Sequence, residues 1–269
     1  VHASTQMAIH NSTGVNFAAK KGFERVIVAR ELTLKEIEAI ARTKKTEIEC
    51  FVHGALCYSF SGMCQFSSYL GGSGANRGLC TQPCRRQFSI HNENKEYFSL
   101  KDNQQIELLS DLVELGIKSF KIEGRLKSDD YVYRVTKAYR KVLDNQETIE
   151  DAKKILDLDL GREKTSYFMG SNLKNAITKS TNTGKFLGKI VFVTKTGFSF
   201  QSNQSFDTNF RIRVFDKKTG TQTNIKVKEF TQKDDIITVE APGKFYKHCE
   251  VYLSGLNEKK LPNKLPYVD

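Results

Sequence analysis

Four of the six cysteines fall within residues 57–84, spaced Cys57-x6-Cys64-x15-Cys80-x3-Cys84. The segment is rich in glycine and serine, and such a backbone can wrap closely around an ion or a cluster. Thiolates are the form that ligates metals, and nearby arginines favour that form. Four soft sulfurs suit zinc or an iron–sulfur cluster. Zinc usually takes tight cysteine pairs, and only Cys80 with Cys84 forms one, so the spacing favours iron–sulfur. Zinc, free thiols and a disulfide stay open as alternatives.

Two arginines beside these cysteines could bind an anionic group. Arg77 lies in the run GGSGANRG, and Arg85 directly follows Cys84. A guanidinium can grip a phosphate or a carboxylate with two hydrogen bonds. The glycine run matches neither the P-loop nor the dinucleotide fingerprint, and its glycines could equally serve tight turns. Arg77 and Arg85 are therefore candidate residues for binding a cofactor or a substrate.

The bulk composition is that of a soluble globular protein. Hydrophobic residues make up 39% and charged residues 27% of the 269-residue chain. No run approaches the roughly 18 apolar residues that a membrane helix needs, and no signal peptide opens the sequence. We therefore expect a cytoplasmic protein without a membrane partner. In a reducing cytosol, clustered cysteines are more often metal ligands or redox groups than disulfides.

The chain carries an excess of positive charge. The sum of 42 Lys and Arg against 31 Asp and Glu gives a formal net charge of +11. Such a field favours anionic partners, with nucleic acid first among them. The lysines are spread along the chain rather than massed in a block, so a general role in solubility is the alternative. RNA is the partner that we expect.

The first part of the chain alternates strands with helices. Strands are predicted from Val1, at Arg25 to Arg30 and at Glu47 to Gly54. Helices are predicted after the first two, the second starting with a capping box of Thr33 and Glu36. Asp102 could cap a further helix that stops at Gly116, followed by a strand over 117–124 and a helix over 128–143. This alternation is typical of βαβ units and a parallel sheet.

Four such units make up about half of an eight-stranded (β/α) barrel, which runs to about 250 residues. Parallel strands leave an open edge that risks aggregation. We therefore expect either a missing N-terminal half or a partner, such as a second copy in a homo-oligomer, that covers the edge. From Gly184 onward, six short strands separated by turns predict a small antiparallel β-barrel. The expected domains are a half-barrel over 1–145, a helical connection over 146–183 and a β-barrel over 184–269.

Charged and polar residues follow the ends of the predicted parallel strands, where (β/α) barrels carry their chemistry. His53 ends the third strand, and Arg30 with Glu31 ends the second. Glu123 and Arg125 end the strand before the last helix. These five are candidate catalytic residues. A core histidine at position 53 and a structural ion pair between Glu31 and Arg125 are the alternatives.

The run ECFVHGALCYSFSGMCQFSS resembles the signature of the collagenase-like peptidase family. The pattern E-x-F-x-H-G-A-L-C followed by S-G-x-C and a serine is filled by Glu49, Phe51, His53, Gly54, Ala55, Leu56, Cys57, Ser61, Gly62, Cys64 and Ser67. Further matches are STQM over 4–7, ARE over 29–31, NRGLCTQPCR over 76–85, KIEGR over 121–125 and YR over 139–140. The resemblance covers residues 1 to about 145. Over the last third it rests only on the family habit of appending a small β-barrel.

The resemblance implies two different activities. The family's older label is protease, and its better-understood members hydroxylate a pyrimidine of transfer or ribosomal RNA, or hydroxylate ubiquinone. Several members hold a four-iron cluster on four cysteines. In some of them one ligand lies in the helix after KIEGR. The corresponding position here is near Val132, which cannot ligate, so the resemblance implies either that Cys84 is the fourth ligand or that the cluster is incomplete. Hydroxylation of an RNA base is the favoured prediction, with a collagenase-like endopeptidase and a non-catalytic RNA-binding module as alternatives.

The residues themselves offer little for proteolysis. The sequence has no G-x-S-x-G elbow and no H-E-x-x-H helix, which serine and zinc hydrolases use. Five histidines in all leave few bases for hydrolysis. The four clustered thiols are unlike a single activated cysteine beside a histidine.

Overall fold

A computed structural model describes residues 1–178 and 184–256. These residues fall into two compact units, one of 1–156 with 161–178 and the other of 157–160 with 184–256. The predicted domain limits at residues 183 and 269 lie outside the described residues. Within the described residues, no helix combines the length and the apolarity that crossing a membrane requires.

The first unit contains eight strands. They are β1 (His2–Ala3), β2 (Arg25–Ile27), β3 (Glu47–Gly54), β4 (Phe88–Ile90), β5 (Glu93–Lys95), β6 (Asp102–Gln104), β7 (Ser119–Ile122) and β8 (Lys164–Thr165). Strands β1, β2, β3 and β7 pair side by side and all run parallel. The end of β3 also pairs antiparallel with β6, which pairs parallel with β8. Strands β4 and β5 form a separate hairpin.

Six helices belong to this unit. They are α1 (Ser12–Lys20), α2 (Leu34–Ala41), α3 (Phe66–Gly71), α4 (Leu109–Glu114), α5 (Asp129–Leu143) and α6 (Ile149–Leu156). The predicted capping box is confirmed: the Thr33 side chain accepts from the Glu36 amide and the Glu36 carboxylate accepts from the Thr33 amide. Ser128 caps α5 through the Tyr131 amide. Local capping chemistry therefore sets where these helices begin.

Side-chain alternation along β3 separates an apolar face from a polar one. Ile48, Cys50 and Val52 lie in the core with residues of α2, α4 and α5. Burial raises the pKa of the Cys50 thiol to about 12, so it stays neutral. On the other face, Glu49 is 6% exposed. A charged group at that depth needs partners.

The prediction that Asp102 begins a helix is wrong. Asp102 lies in β6, and its neighbours Asn103 and Gln104 pair with the end of β3. The Asp102 carboxylate accepts a 2.9 Å hydrogen bond from the backbone amide of Arg162. The helical region begins only at Ile106, as a 3-10 turn leading into α4. Contacts distant in sequence override the local capping signal here.

The second unit is an antiparallel sheet of seven strands. They are β9 (Lys185–Val193), β10 (Gly197–Gln201), β11 (Phe210–Phe215), β12 (Gln222–Lys226), β13 (Phe230–Lys233), β14 (Ile236–Glu240) and β15 (Glu250–Leu256). The strand order is β12-β11-β15-β9-β10-β14-β13. Phe198, Phe200, Ile212 and Ile237 fill its core and are fully buried.

Six strands were predicted for this region and seven are present. The run TNIKVKEF, predicted as one strand, is divided between β12 and β13, because Lys226 pairs with β11 whereas Phe230 pairs with β14. A mixed α/β unit with parallel strands, followed by an antiparallel β unit, is confirmed.

Candidate functional site

The cysteine segment, defined here as residues 55–86 and called the cysteine loop, crosses the carboxyl ends of the parallel strands. A Cβ atom at Gly62 would lie 2.5 Å from the carbonyl oxygen of Gln6, which follows β1. The Ser61 amide and hydroxyl each lie 3.2 Å from Oε1 of Glu31, which follows β2. The loop is therefore held against the ends of two neighbouring strands.

The far side of the loop is tied to the end of β7. The Arg125 guanidinium donates a 2.6 Å hydrogen bond from Nη2 to the Gly78 carbonyl, two residues before Cys80. The Arg125 amide in turn donates to Oε1 of Glu123 at 2.9 Å. Within the described residues, Glu31 and Arg125 thus have separate partners, and the alternative ion pair between them does not form.

Arg85 fastens the two ends of the loop together. Its guanidinium donates from Nη2 to the Leu56 carbonyl, and from Nη1 to the Leu100 carbonyl and the Ser99 hydroxyl. Since Leu56 precedes Cys57 and Arg85 follows Cys84, this clamp brings the first and last cysteines of the motif to one place. The predicted role of Arg85 in binding an anionic group stays a prediction. The donors Nη1 and Nη2 are occupied within the protein.

Three of the thiols lie close enough to influence one another's protonation. Burial raises the pKa of Cys84, the positive charge of Arg85 lowers it, and the charges of Cys57 and Cys80 raise it, with a net increase. The Tyr58 amide donates to the Cys84 sulfur, which favours the thiolate.

The fourth thiol, Cys64, is held next to the Cys80 end of the loop. Asn76 bonds the Cys64 backbone twice, to its amide at 3.2 Å and to its carbonyl at 3.1 Å. Thr81, the residue after Cys80, donates its amide to the Ser67 hydroxyl at 2.9 Å. Burial alone would raise the pKa of Cys64, but hydrogen bonds from Ser59 and from the amides at the start of α3 lower it overall.

The donor set fits a sulfur-ligated centre. All four loop cysteines are free thiols; Cys57 and Cys80 are exposed, and Cys64 and Cys84 are half-buried. No three of these sulfurs lie within 4.8 Å of one another. A single tetrahedral zinc would hold them about 3.8 Å apart. An iron–sulfur cluster places iron and sulfide between its thiolates and holds them farther apart.

The residues after β2 form a polar group beneath the loop. The Arg30 amide lies 3.3 Å from the Ser61 hydroxyl, and its guanidinium packs 5.4 Å from the centre of the Phe51 ring. Tyr167 lies beside them: burial raises its pKa, and the negative charge of Glu31 raises it further. Sequence reasoning missed Tyr167. No local pattern marks it, because Arg30 and Glu31 are distant from it in the chain.

His53 lies on the opposite side of the sheet from this group. Its side chain is 1% exposed, its Nδ1 lies 3.3 Å from the Tyr139 hydroxyl, and its ring packs against Tyr131 and Tyr139 of α5. The β3–β7 pairing shifts register between Phe51 and His53. Such a bulge re-aims the next side chain. The environment is that of a core histidine, and a catalytic role stays a prediction.

A buried carboxylate anchors the polar face of the sheet. Glu49 accepts from the Lys121 ammonium at 2.8 Å and from the Ser119 hydroxyl at 2.8 Å, and Arg25 lies 3.4 Å away. Burial raises the pKa of Glu49, but these donors outweigh it and hold the pKa below its usual value. Three strands are therefore tied together by one carboxylate.

Comparison with known proteins agrees with the motif. The model of peptidase family U32 matches residues 1–179, out of 269 residues. The chain belongs to peptidase family U32. The expected membership of the collagenase-like family is confirmed, and the matched region contains the cysteine loop and every candidate residue discussed above.

Relatives in family U32 carry two kinds of name. A 23S rRNA 5-hydroxycytidine synthase of Escherichia coli is 41% identical over 151 residues, covering 54% of this chain and 23% of the relative. A tRNA hydroxylation protein of Bacillus subtilis is 38% identical over 157 residues, covering 54% and 37%. A collagenase of Porphyromonas gingivalis is 34% identical over 164 residues, covering 54% and 39%. The chain thus spans less than two fifths of these relatives' lengths.

Proposed function

We propose that this U32 chain contributes the cysteine-bearing part of an enzyme that hydroxylates an RNA base. The observation that carries the proposal is the cysteine loop, fastened by Ser61, Arg85 and Arg125 across the carboxyl ends of the parallel strands. Two relatives named for RNA hydroxylation, at 41% and 38% identity, support the choice of substrate.

In this proposal, Cys57, Cys64, Cys80 and Cys84 hold a four-iron, four-sulfur cluster. When bound, the cluster supplies electron transfer. The chain's own residues do the positioning. Arg85 keeps the first and last ligands adjacent, and hydrogen bonds from Ser59 and from the amides at the start of α3 lower the pKa of Cys64, which favours the ligating thiolate.

Substrate contacts fall to the strand-end residues. Arg30, Glu31, Glu123 and Arg125 lie beneath or beside the loop, where a base could be held between them. Arg77 is exposed on the loop surface and is placed to bind a phosphate. A net charge of +11 favours retention of RNA without sequence readout.

For the fold, we propose that β1, β2, β3 and β7 form part of a (β/α) barrel, because their order in the sheet follows the chain as barrel strands do. The seven-stranded sheet supports the small β-barrel proposed for the second unit. We also propose that a homo-oligomer covers the sheet edge at β1. Such an oligomer would elute from a size-exclusion column at twice the monomer mass or more.

A collagenase-like endopeptidase is the second candidate function. It is favoured by the relative named collagenase, at 34% identity. The two functions differ in what the loop cysteines must do, because hydrolysis of a peptide bond requires no electron transfer.

The test compares two cysteine variants of the full chain. Cys57→Ala removes a loop thiol, and Cys50→Ala, the matched control, removes the core thiol outside the loop. The anaerobically reconstituted proteins are incubated with unmodified tRNA or rRNA and a protein-free cell extract, which supplies the oxygen donor and the redox partner that adding a hydroxyl requires. RNA nucleosides are then analysed by mass. We expect one added oxygen with the wild type and Cys50→Ala, and none with Cys57→Ala. Gelatin cleavage that survives Cys57→Ala, with no change in RNA mass, would instead establish the peptidase. Salt-sensitive RNA binding with neither cluster nor modification would leave only a binding module.

A further inference from the structure

A second group of metal-capable side chains lies in the β unit, outside the cysteine loop. Asp216 directly follows β11, while His248 and Cys249 directly precede β15. These two strands are paired, with Phe215 opposite Glu250. The end of the ladder therefore brings together three residues from segments about 30 positions apart in the chain.

The three ligand atoms converge on one point. A carboxylate oxygen of Asp216, a ring nitrogen of His248 and the sulfur of Cys249 all lie within 4.8 Å of one another. His248 Nε2 and Asp216 Oδ1 are 2.8 Å apart. Asp216 is 7% exposed and Cys249 is 2% exposed, whereas His248 is half-buried. Access from solvent is therefore through the imidazole side.

The backbone holds both segments firmly. The Asp216 amide donates to the Thr221 carbonyl at 3.0 Å, and the Gly220 amide donates back to the Asp216 carbonyl at 2.8 Å. On the other segment, the Ile190 amide of β9 donates to the Cys249 carbonyl at 3.0 Å. Few degrees of freedom remain to be lost on binding, which favours a preorganised site.

The arrangement differs from a hydrolytic cysteine, histidine and aspartate relay. In such a relay the acid and the nucleophile bind opposite nitrogens of the imidazole, which separates them by roughly 6 Å or more. Here the Asp216 oxygen and the Cys249 sulfur are themselves within 4.8 Å. Convergence of all three atoms suits a single cation instead.

We propose that Asp216, His248 and Cys249 bind one zinc ion, with water in the fourth position. Thiolate, imidazole and carboxylate are the three ligand types of zinc sites, and three protein ligands with an open position are a common set. On binding, the Cys249 thiol gives its proton to solvent, and the neutral imidazole carries its proton on Nδ1. One carboxylate and one thiolate balance the divalent charge, which suits a site this deeply buried.

The test uses the full chain and separates this site from the cysteine loop. In a variant with Ser at positions 57, 64, 80 and 84, we expect one bound Co²⁺, used as a spectroscopic substitute for Zn²⁺, with a thiolate-to-cobalt charge-transfer band. Adding His248→Gln, which keeps an amide donor beside Asp216, should abolish the band. His91→Asn, at an exposed left-handed position that asparagine tolerates, is the control and should retain it.

Native mass spectrometry of the chain with intact loop cysteines gives an independent count. Zinc per chain should fall by one in His248→Gln and in Cys249→Ala, but not in His91→Asn or Cys50→Ala. An unchanged count in His248→Gln and Cys249→Ala, or a cobalt band that persists without His248, would overturn the proposal. If the four-serine variant does not fold, the zinc count from native mass spectrometry tests the proposal by itself.

Discussion

Replacing Arg85 by methionine should loosen the cysteine loop and destabilise the α/β unit. Methionine retains much of the length and apolar volume of arginine but has no hydrogen-bond donor. The change removes the bonds to the Leu56 and Leu100 carbonyls and to the Ser99 hydroxyl. Leu56, Ser99 and Leu100 are 4%, 0% and 2% exposed, so water replaces the lost donors poorly.

The size of the effect follows from this geometry. A hydrogen bond from a charged donor contributes about 1.5–3 kcal/mol, and three such bonds are lost. Removing the guanidinium also relieves the cost of burying a charge, which offsets a large part of that sum. We expect a loss of about 3 kcal/mol in the free energy of unfolding. For a unit of this size, such a loss lowers the melting temperature by roughly 6–12 °C.

The assay pairs this variant with Arg86→Ala. Arg86 is the exposed neighbour in the chain, and its replacement should change stability by less than about 0.5 kcal/mol. Urea denaturation measures stability, and iron content after anaerobic reconstitution reports whether Cys57 and Cys84 still lie together. If Arg85→Met matches Arg86→Ala in both measurements, Arg85 does not hold the loop.

Three further changes test the sheet that carries the loop. The pKa of Glu49 in the folded protein lies below its unfolded value of about 4.3. Its contribution to the free energy of unfolding is therefore present above that pH and is lost as the pH falls through the folded pKa. Glu49→Gln should cost about 1–2 kcal/mol at pH 7 and should flatten this acid dependence in urea titrations. Tyr139→Phe should cost about 1 kcal/mol, because it removes the hydroxyl that donates to the Val52 carbonyl and accepts from the Gln105 amide, which keep only their 2.9 Å bond to each other. Exposed Tyr133→Phe should cost nothing measurable, and equal losses would contradict the buried network. Gly54→Ala should cost more than about 2 kcal/mol, since its Cβ would lie 2.6 Å from a carbonyl oxygen. Gly116→Ala, at a left-handed position with open space around it, should cost about 1 kcal/mol. Similar melting temperatures for the two variants would show that no such clash exists.

Local chemistry made part of this structure predictable. The strand Glu47–Gly54 has the predicted bounds, because its apolar residues recur every second position and a glycine ends it. The capping box at Thr33 likewise predicts the start of α2, because its contacts join residues only three positions apart. The cysteine spacing likewise marks the loop, because the four cysteines lie close together in the chain.

Non-local contacts decided the rest. Asp102 looks like a helix cap, yet its carboxylate pairs with an amide 60 residues away. Strict alternation of side chains along β3 would place His53 on the same face of the sheet as Glu49. The register shift between β3 and β7 turns the His53 side chain toward α5 instead. Arg85 looks like an anion-binding residue, but its Nη1 and Nη2 donors reach carbonyls in two other segments. None of these partners is encoded within a few residues of the group concerned.

Iron and acid-labile sulfide analysis of the anaerobically reconstituted chain shows whether the four loop thiols serve one inorganic centre. We expect about four iron and four sulfide per chain, with both lost in Cys57→Ala and retained in Cys50→Ala. A folded wild-type chain that binds neither, or that takes up iron equally well without Cys57, would contradict this expectation.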